Sequence, residues 1–259
     1  MNLLLFANLV PMPPLASQHG QDVDRLINYL HWLMLVLFIG WGAYFIYVLL
    51  RFRQTKTPKA NHLGAQTNAP KYLELVVAGI ETLILLAFAL PMWAKLTDPK
   101  NLPTGGDVTQ VRVTAEQFQW NFRYPGPDGV FGRQDISLVS PSNPLGYDEK
   151  DPAAKDDITP PMGEMHVPVG KPVVIRLTSK DVIHSFKVVA FRTTQDAIPG
   201  VPTTTQFTPT RVGRYMITCA QLCGNGHAKM AGYVVVDTEE DYRKWLQERS
   251  KAGVATSFE

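Results

Sequence analysis

NYLHWLMLVLFIGWGAYFIYVLL, from Asn28 to Leu50, and YLELVVAGIETLILLAFALPMWA, from Tyr72 to Ala94, decide the fold class, and each is 23 residues long. At about 1.5 Å per residue a helix of that length reaches about 35 Å, enough to cross a hydrocarbon layer of about 30 Å with some tilt. Neither run carries the polar stripe that a surface helix of a soluble protein needs. Both are expected to be transmembrane helices. Aromatic residues at their ends, Tyr29, Trp32, Tyr44, Tyr47, Tyr72 and Trp93, suit interfacial belts.

The connecting segment holds Arg51, Arg53, Lys56, Lys59 and Lys71 and no acid, so the positive-inside rule makes it cytoplasmic. Both termini then lie outside. From Lys95 onward acids and bases balance at 19 each, which leaves the large outer region neutral. Over all 259 residues 25 bases face 23 acids, excluding a nucleic-acid binder driven by net charge. At roughly 150 residues per domain the length also excludes a large multidomain enzyme. The opening MNLLLFANLVPMPPLAS has an apolar core, but it lacks a basic n-region and is broken by Pro11, Pro13 and Pro14. We expect an uncleaved extracytoplasmic segment over residues 1–21, ahead of a helical hairpin over 22–95.

Beyond Lys95 the apolar runs become short and alternate. Val108 to Thr114, Gln117 to Tyr124, Pro172 to Thr178, Val182 to Ala190, Thr203 to Thr208, Arg214 to Cys219 and Ala231 to Asp237 read as strands of an all-β sandwich or barrel over residues 96–237. Residues 125–162, rich in Pro, Gly, Asp and Lys, cannot bury enough apolar area for a core and read as a surface excursion. TEEDYRKWLQERS, with Thr238 to cap it and acids in the first turn, reads as a terminal helix within 238–259 that packs Tyr242 and Trp245 on the sandwich.

The chemistry gathers in CAQLCGNGHAKM, which spaces Cys219, Cys223, His227 and Met230 by four, four and three residues on a Gly-rich loop between two strands. His184 adds an imidazole 35 residues upstream. Soft sulfur with imidazole selects copper over magnesium, calcium or manganese. A mononuclear blue-copper site uses one cysteine, and this loop offers two. Both thiolates could bridge a pair of coppers, with His184 and Met230 completing one and His227 and a backbone carbonyl of the loop the other. Two other readings stay open. The cysteines could form a disulfide in an oxidising compartment, or the cluster could hold zinc, for which methionine is a poor ligand. His19, His31, His62 and His166 lack ligand-like partners and read as surface or packing residues.

The loop CAQLCGNGHAKM resembles the dicopper-A loop of subunit II of haem-copper cytochrome c oxidases, and DVIHSF resembles that family's strand with the first histidine. The two-helix anchor, QWNFRY and QDAIPG extend the resemblance over most of Asp22 to Asp237. It implies an α+β membrane protein in which a two-helix transmembrane hairpin precedes an all-β, cupredoxin-like Greek-key sandwich. Cys219 and Cys223 become bridging thiolates of two copper ions, His184, His227 and Met230 terminal ligands, and the carbonyl of Gln221 the remaining axial ligand. Trp120 matches the tryptophan where electrons come in from cytochrome c, Asp181 an acid of the cytochrome c docking face, and Glu74 a glutamate at the mouth of a proton channel shared with subunit I.

Two positions depart from the family. Where members often have a glutamate that helps to bind magnesium, this chain has Gln221; its backbone ligand survives, but a neutral amide weakens the case for that hard ion. Glu81 stands deep in the second helix where proline is common, seven residues from Glu74 on the same face, and a polar partner on subunit I is expected for it.

The resemblance therefore implies the copper-bearing subunit of a respiratory terminal oxidase in the inner (plasma) membrane, rather than the mitochondrial one, with its outer domain periplasmic. Electrons would pass from cytochrome c to the haem and copper centres of subunit I, which reduces oxygen to water, with subunit III as a further partner and haem only in the partner. The alternatives are the dicopper subunit of a nitric oxide reductase and a membrane-anchored copper-delivery protein.

Overall fold

The computed structural model describes residues 12–53, 63, 66–140, 142–143 and 145–255. Residues 1–11 of the expected N-terminal segment, and Lys56 and Lys59 of the basic connection, lie outside them. The chain divides into two compact units, one built on Asp22–Lys95 and the other on Pro13–Gln21 with Leu96–Glu259.

The first unit holds two long helices, α1 (Gly20–Arg51, 32 residues) and α2 (Ala69–Thr97, 29 residues). Both outrun the apolar stretches because polar residues such as Asp22, Arg25 and Lys95 extend their ends. Apolar side chains stay exposed along their length, with Phe38 at 79% and Val36 at 63%. Water would oppose so much apolar surface, whereas lipid and neighbouring helices accept it. The rings of Tyr29 in α1 and Phe88 in α2 meet edge to face at 5.4 Å. Within α2 the segment Leu85–Ala89 widens into a π-turn, its end marked by the Leu90 N–H donating to the Leu85 carbonyl. Pro91 follows directly. It has no N–H to donate and its ring crowds the preceding turn, a standard cause of such a local rearrangement.

The second unit is a β-sandwich of two sheets followed by a helix. Its strands are β1 (Thr109–Glu116), β2 (Gln119–Arg123), β3 (Glu164–Pro168), β4 (Val173–Ser179), β5 (His184–Val188), β6 (Thr193–Ala197), β7 (Thr203–Phe207), β8 (Gly213–Cys219) and β9 (Ala231–Asp237). They form a four-stranded sheet in the order β2-β1-β4-β7 and a five-stranded sheet in the order β3-β9-β8-β5-β6. Alternation sends Val111, Val113 and Ala115 of β1, Trp120 and Phe122 of β2, and Phe186 and Val188 of β5 into one core between the sheets.

Two strands were not expected, and both are edges of the five-stranded sheet. β3 lies in a Pro-rich stretch and ends on Pro168, which an edge strand tolerates because one of its sides needs no ladder donor. β6 reads TTQDA, polar because half of its surface faces solvent. The expected surface excursion also reaches the interior. Ile158 is 3% exposed, and Asp157 forms a buried ion pair with Arg123 of β2, whose guanidinium lies over the Tyr147 ring at 3.9 Å. Burial pushes the Asp157 carboxyl up against the opposing pull of Arg123.

α3 (Glu239–Ala255) closes the unit, with the Thr238 hydroxyl accepting from the Asp241 N–H at 3.2 Å. Trp245 stacks on His166 at 4.5 Å and meets Tyr124 edge to face at 5.3 Å. His166, whose Nδ1 lies 2.7 Å from the Asp237 carboxylate, is thereby a packing histidine.

Candidate metal centre

Strand pairing assembles the centre. β5 runs antiparallel to β8 with Phe186 opposite Cys219, so His184 at the start of β5 comes beside the last residue of β8. β8 also pairs with β9, and the loop between them, residues 220–230, folds back over its own strand ends. The Ala220 N–H donates to the Ser185 carbonyl at 2.9 Å, and the Cys219 N–H to the Met230 carbonyl at 3.3 Å. A short 3₁₀ turn, His227–Lys229, aims the second imidazole back at the thiols.

Six donors result. The Cys219 and Cys223 sulfurs are 3.8 Å apart. His184 Nδ1 lies 3.9 Å from Cys219 Sγ, and His227 Nδ1 lies 3.7 Å from Cys223 Sγ. The Gln221 carbonyl is 3.1 Å from the first sulfur and Met230 Sδ is 3.8 Å from the second. A sulfur separation near 4 Å is about twice a disulfide bond, so both thiols are free. His184 is fully buried, Cys219, Cys223 and Met230 nearly so, and His227 is half-buried. In the metal-free chain burial, followed by the neighbouring Cys219 thiol, pushes Cys223 up to about 11.

Asp181 holds the first imidazole. Its carboxylate lies 2.9 Å from His184 Nε2 and accepts the backbone N–H groups of Gln117 and Val182, each at 2.7 Å. The Nε2 proton given to that carboxylate leaves the Nδ1 lone pair facing Cys219. The acid expected at a docking face is exposed and at the same time bonded to the His184 ring. Burial alone would raise its pKa, but the bonds from Gln117 and His184 outweigh burial and hold it below the usual carboxylate range.

Trp120 is also more interior than expected. It is 0% exposed, its ring edge-on to His184 at 6.2 Å and to Phe186 at 5.6 Å, so it offers no surface to a protein donor. The aromatic that reaches the surface here is Phe118, 36% exposed in the turn between β1 and β2. A side-chain carbon on Gly226 would sit 2.3 Å from the Phe118 ring, and one on Gly224, whose φ is +132°, would sit 2.8 Å from Gln117 Nε2. Those glycines let the loop tuck beneath Phe118. Gln117 completes the clasp by donating from Nε2 to the Cys223 carbonyl at 2.6 Å. Gln117 and Phe118 were missed in the sequence, where the only trace of them is the glycine spacing of the loop they cover. Glu74 and Glu81 lie on α2, in the other unit, and are exposed.

The family model for "Cytochrome C oxidase subunit II, periplasmic domain" matches residues 109–238. The chain belongs to the cytochrome c oxidase subunit II family. It is 34% identical over 243 residues to the alternative cytochrome c oxidase subunit 2 of Bradyrhizobium diazoefficiens, covering 93% of this chain and 85% of that one. To cytochrome c oxidase subunit 2 of Cereibacter sphaeroides it is 32% identical over 246 residues, covering 91% and 78%. The solved periplasmic domain of subunit II of the Bradyrhizobium japonicum oxidase is 28% identical, with a TM-score of 0.42 over 58% of this chain and 98% of that one.

Membership makes the chain a membrane-anchored subunit II of a haem-copper oxidase, with two apolar helices ahead of a cupredoxin-like sandwich. The ligand atoms of His184, Cys219 and Cys223 lie within 4.8 Å of one another and fit a copper site in this subunit II domain. Buried thiols, an imidazole fixed by a carboxylate, and a thioether form a soft donor set, whereas zinc would leave Met230 without use.

Proposed function

We propose that this subunit II accepts electrons one at a time from cytochrome c at a two-copper centre and passes them to the haem and copper centres of subunit I, where oxygen is reduced to water. The observation that carries the reading is the ladder His184, Cys219, Cys223, His227, flanked by the Gln221 carbonyl and Met230 at 3.1–3.9 Å steps. Two sulfurs at the centre and one imidazole at each end suit two metal ions sharing both thiolates. Such a pair, when bound, supplies a one-electron couple whose charge change is spread over two metals.

The chain's own residues keep that change small in structural terms. Asp181 fixes the His184 ring, the β5–β8–β9 ladder fixes Cys219, the Cys219–Met230 backbone bond and the Gln117–Cys223 bond tie down the loop, and near-complete burial of the sulfurs excludes water. Every donor of the cluster is taken, which suits electron transfer rather than substrate binding. A protein donor would meet the centre at Phe118 and at Leu222, 80% exposed between the two cysteines, with Trp120 behind as interior packing. Gln221 presents a neutral amide where a magnesium ligand would carry charge, which weakens the case for that ion, so the reading rests on copper alone. The domain faces the periplasm from the inner membrane. Subunit III and the proton-channel role of Glu74 belong to this reading as family features.

The test is metal content and electron paramagnetic resonance of the full-length chain purified in detergent and loaded with copper. Two coppers per chain with one unpaired electron shared equally between them are expected. A single localised copper, or a stoichiometric zinc, would overturn the two-copper assignment. Turnover of the assembled complex with oxygen and with nitric oxide then separates the terminal-oxidase role from a nitric oxide reductase.

A further inference from the structure

The pairing of β1 with β2 and with β4 sets Arg112 opposite Arg123 on one side and opposite Arg176 on the other. Their chain neighbours Val111, Val113, Phe122, Ile175 and Leu177 are buried in the core, so alternation turns all three arginines onto the outer face of the four-stranded sheet. Neighbouring strands lie about 4.8 Å apart. Like charges directly opposite one another in a sheet repel, and here three stand in one row.

One carboxylate answers them. Asp157 pairs with Arg123, which is 4% exposed and whose Nε and Nη1 have no hydrogen-bond partner among the described residues. Arg112 is half-buried, lies over the Phe131 ring at 4.4 Å and donates from Nη1 to the Gly132 carbonyl at 2.7 Å, so its contacts carry no charge. Burial, followed by the charge of Arg123, holds the Arg112 guanidinium below its ordinary pKa. Arg176 is exposed and makes neither a hydrogen bond nor an ion pair among the described residues, and β7 sets only Thr204 opposite it. Lys180, further along β4, differs in being paired with Glu116 at 2.8 Å. Phe131, Tyr147 and Asp157 of the segment 125–162 cover the Arg123 end of the row and leave the Arg176 end open.

A guanidinium binds oxyanions through paired N–H groups in a fixed fork. A planar carboxylate faces one fork at a time, whereas a tetrahedral phosphate presents oxygens on several sides and can be shared by two forks on adjacent strands. We propose that Arg112 and Arg176 hold a phosphate group at the open end of the row, with Arg123 behind them adding to the positive field. A soluble phosphate and a phospholipid headgroup offer this same chemistry. The proposal depends neither on the metal loop nor on the electron-transfer reading.

The test is calorimetric titration of the full-length chain, purified in detergent and stripped of lipid, with inorganic phosphate at constant ionic strength. Saturable binding is expected. Arg176→Gln should weaken it at least about tenfold, the loss expected for a hydrogen-bonded charge. Arg112→Lys keeps the charge without the fork and should weaken it severalfold, while Lys180→Gln removes a charge from the same strand and should leave it unchanged. Copper content and circular dichroism should be the same in all four proteins, which separates this site from the metal centre. Native mass spectrometry of the chain taken from the membrane before lipid is stripped identifies the source. A phospholipid retained by the unaltered chain and lost from Arg176→Gln means a lipid headgroup, and phosphate binding with no such lipid means a soluble phosphate; either result upholds the site. Absence of both phosphate binding and a retained phospholipid overturns it, as does an equal loss with Lys180→Gln and Arg176→Gln.

Discussion

Cys223 sits in the middle of the centre, lying within 3.7–3.8 Å of Cys219, His227 and Met230. Cys223→Ser keeps the shape and removes the sulfur, and a hydroxyl does not bridge soft metals. The circular dichroism of the sandwich should stay as it is, while the shared-electron spectrum disappears in favour of one localised copper or none. Asp181 makes a prediction in acid. Its folded pKa lies below the usual value, so the stability it contributes is complete above about pH 4 and is lost as the pH falls through the lower folded value. Asp181→Asn should therefore cost about 1–2 kcal/mol at neutral pH and nothing in strong acid. Denaturant midpoints of both proteins across that range test this, and a deficit independent of pH would exclude the carboxylate as its cause. The ligands were legible in the sequence because thiol, imidazole and thioether at fixed spacing have few other uses. Asp181 was also singled out, but its bond to His184 comes from a turn that brings one carboxylate oxygen onto the imidazole. Trp120 and Phe118 could not be ranked, since residues two apart share a face in a strand and only the turn that holds Phe118 ahead of β2 separates them.

Elements announced by a strong local pattern were readable. α1 and α2 follow from unbroken apolar runs and α3 from the Thr238 cap with its acidic first turn, whereas β3 escaped notice because its alternation is five residues long and ends on Pro168, and β6 because TTQDA carries almost no apolar signal. The π-turn of α2 has only Pro91 as its local signal. α3 is held by Trp245 against His166 and Tyr124, with Tyr242 stacked beside it on the same helix, by Leu246 against the core and by the Lys171–Glu239 ion pair. Trp245→Ala removes a half-buried ring and should lower the stability of the outer unit by about 2 kcal/mol, less than a fully buried aromatic would cost. Chemical denaturation followed by circular dichroism reads that loss. Copper binding should be unchanged, because α3 carries none of the donors; a parallel loss of copper would mean that α3 supports the loop.

The whole chain is organised by which parts share a side of the membrane. Pro13–Gln21, ahead of α1, belongs to the same compact unit as everything after α2. The attachment is specific. The Ala16 N–H donates to the Ala190 carbonyl at 2.8 Å, the Gln18 N–H to the Thr208 carbonyl at 3.0 Å and the Ser17 hydroxyl to the Phe191 carbonyl at 2.7 Å. Ala16 is 0% exposed, and Gly20 leaves room for the Leu15 side chain and the Ser17 hydroxyl, which a side-chain carbon there would meet at 2.3 and 2.8 Å. A strap woven into the sandwich puts the chain ahead of α1 and the chain after α2 on one side. Two crossings satisfy that, and one does not. The connection between the helices then belongs on the opposite side from the sandwich, and the positive-inside rule favours the cytoplasmic side for its cluster of bases. Gln18 is exposed on the strap and Lys56 lies in the basic connection. In spheroplasts a membrane-impermeant maleimide should therefore label Gln18→Cys at once and Lys56→Cys only after permeabilisation, with the native cysteines too buried to react quickly. Labelling of Lys56→Cys in intact spheroplasts would break the hairpin topology, and with it the shared side that strap and sandwich need.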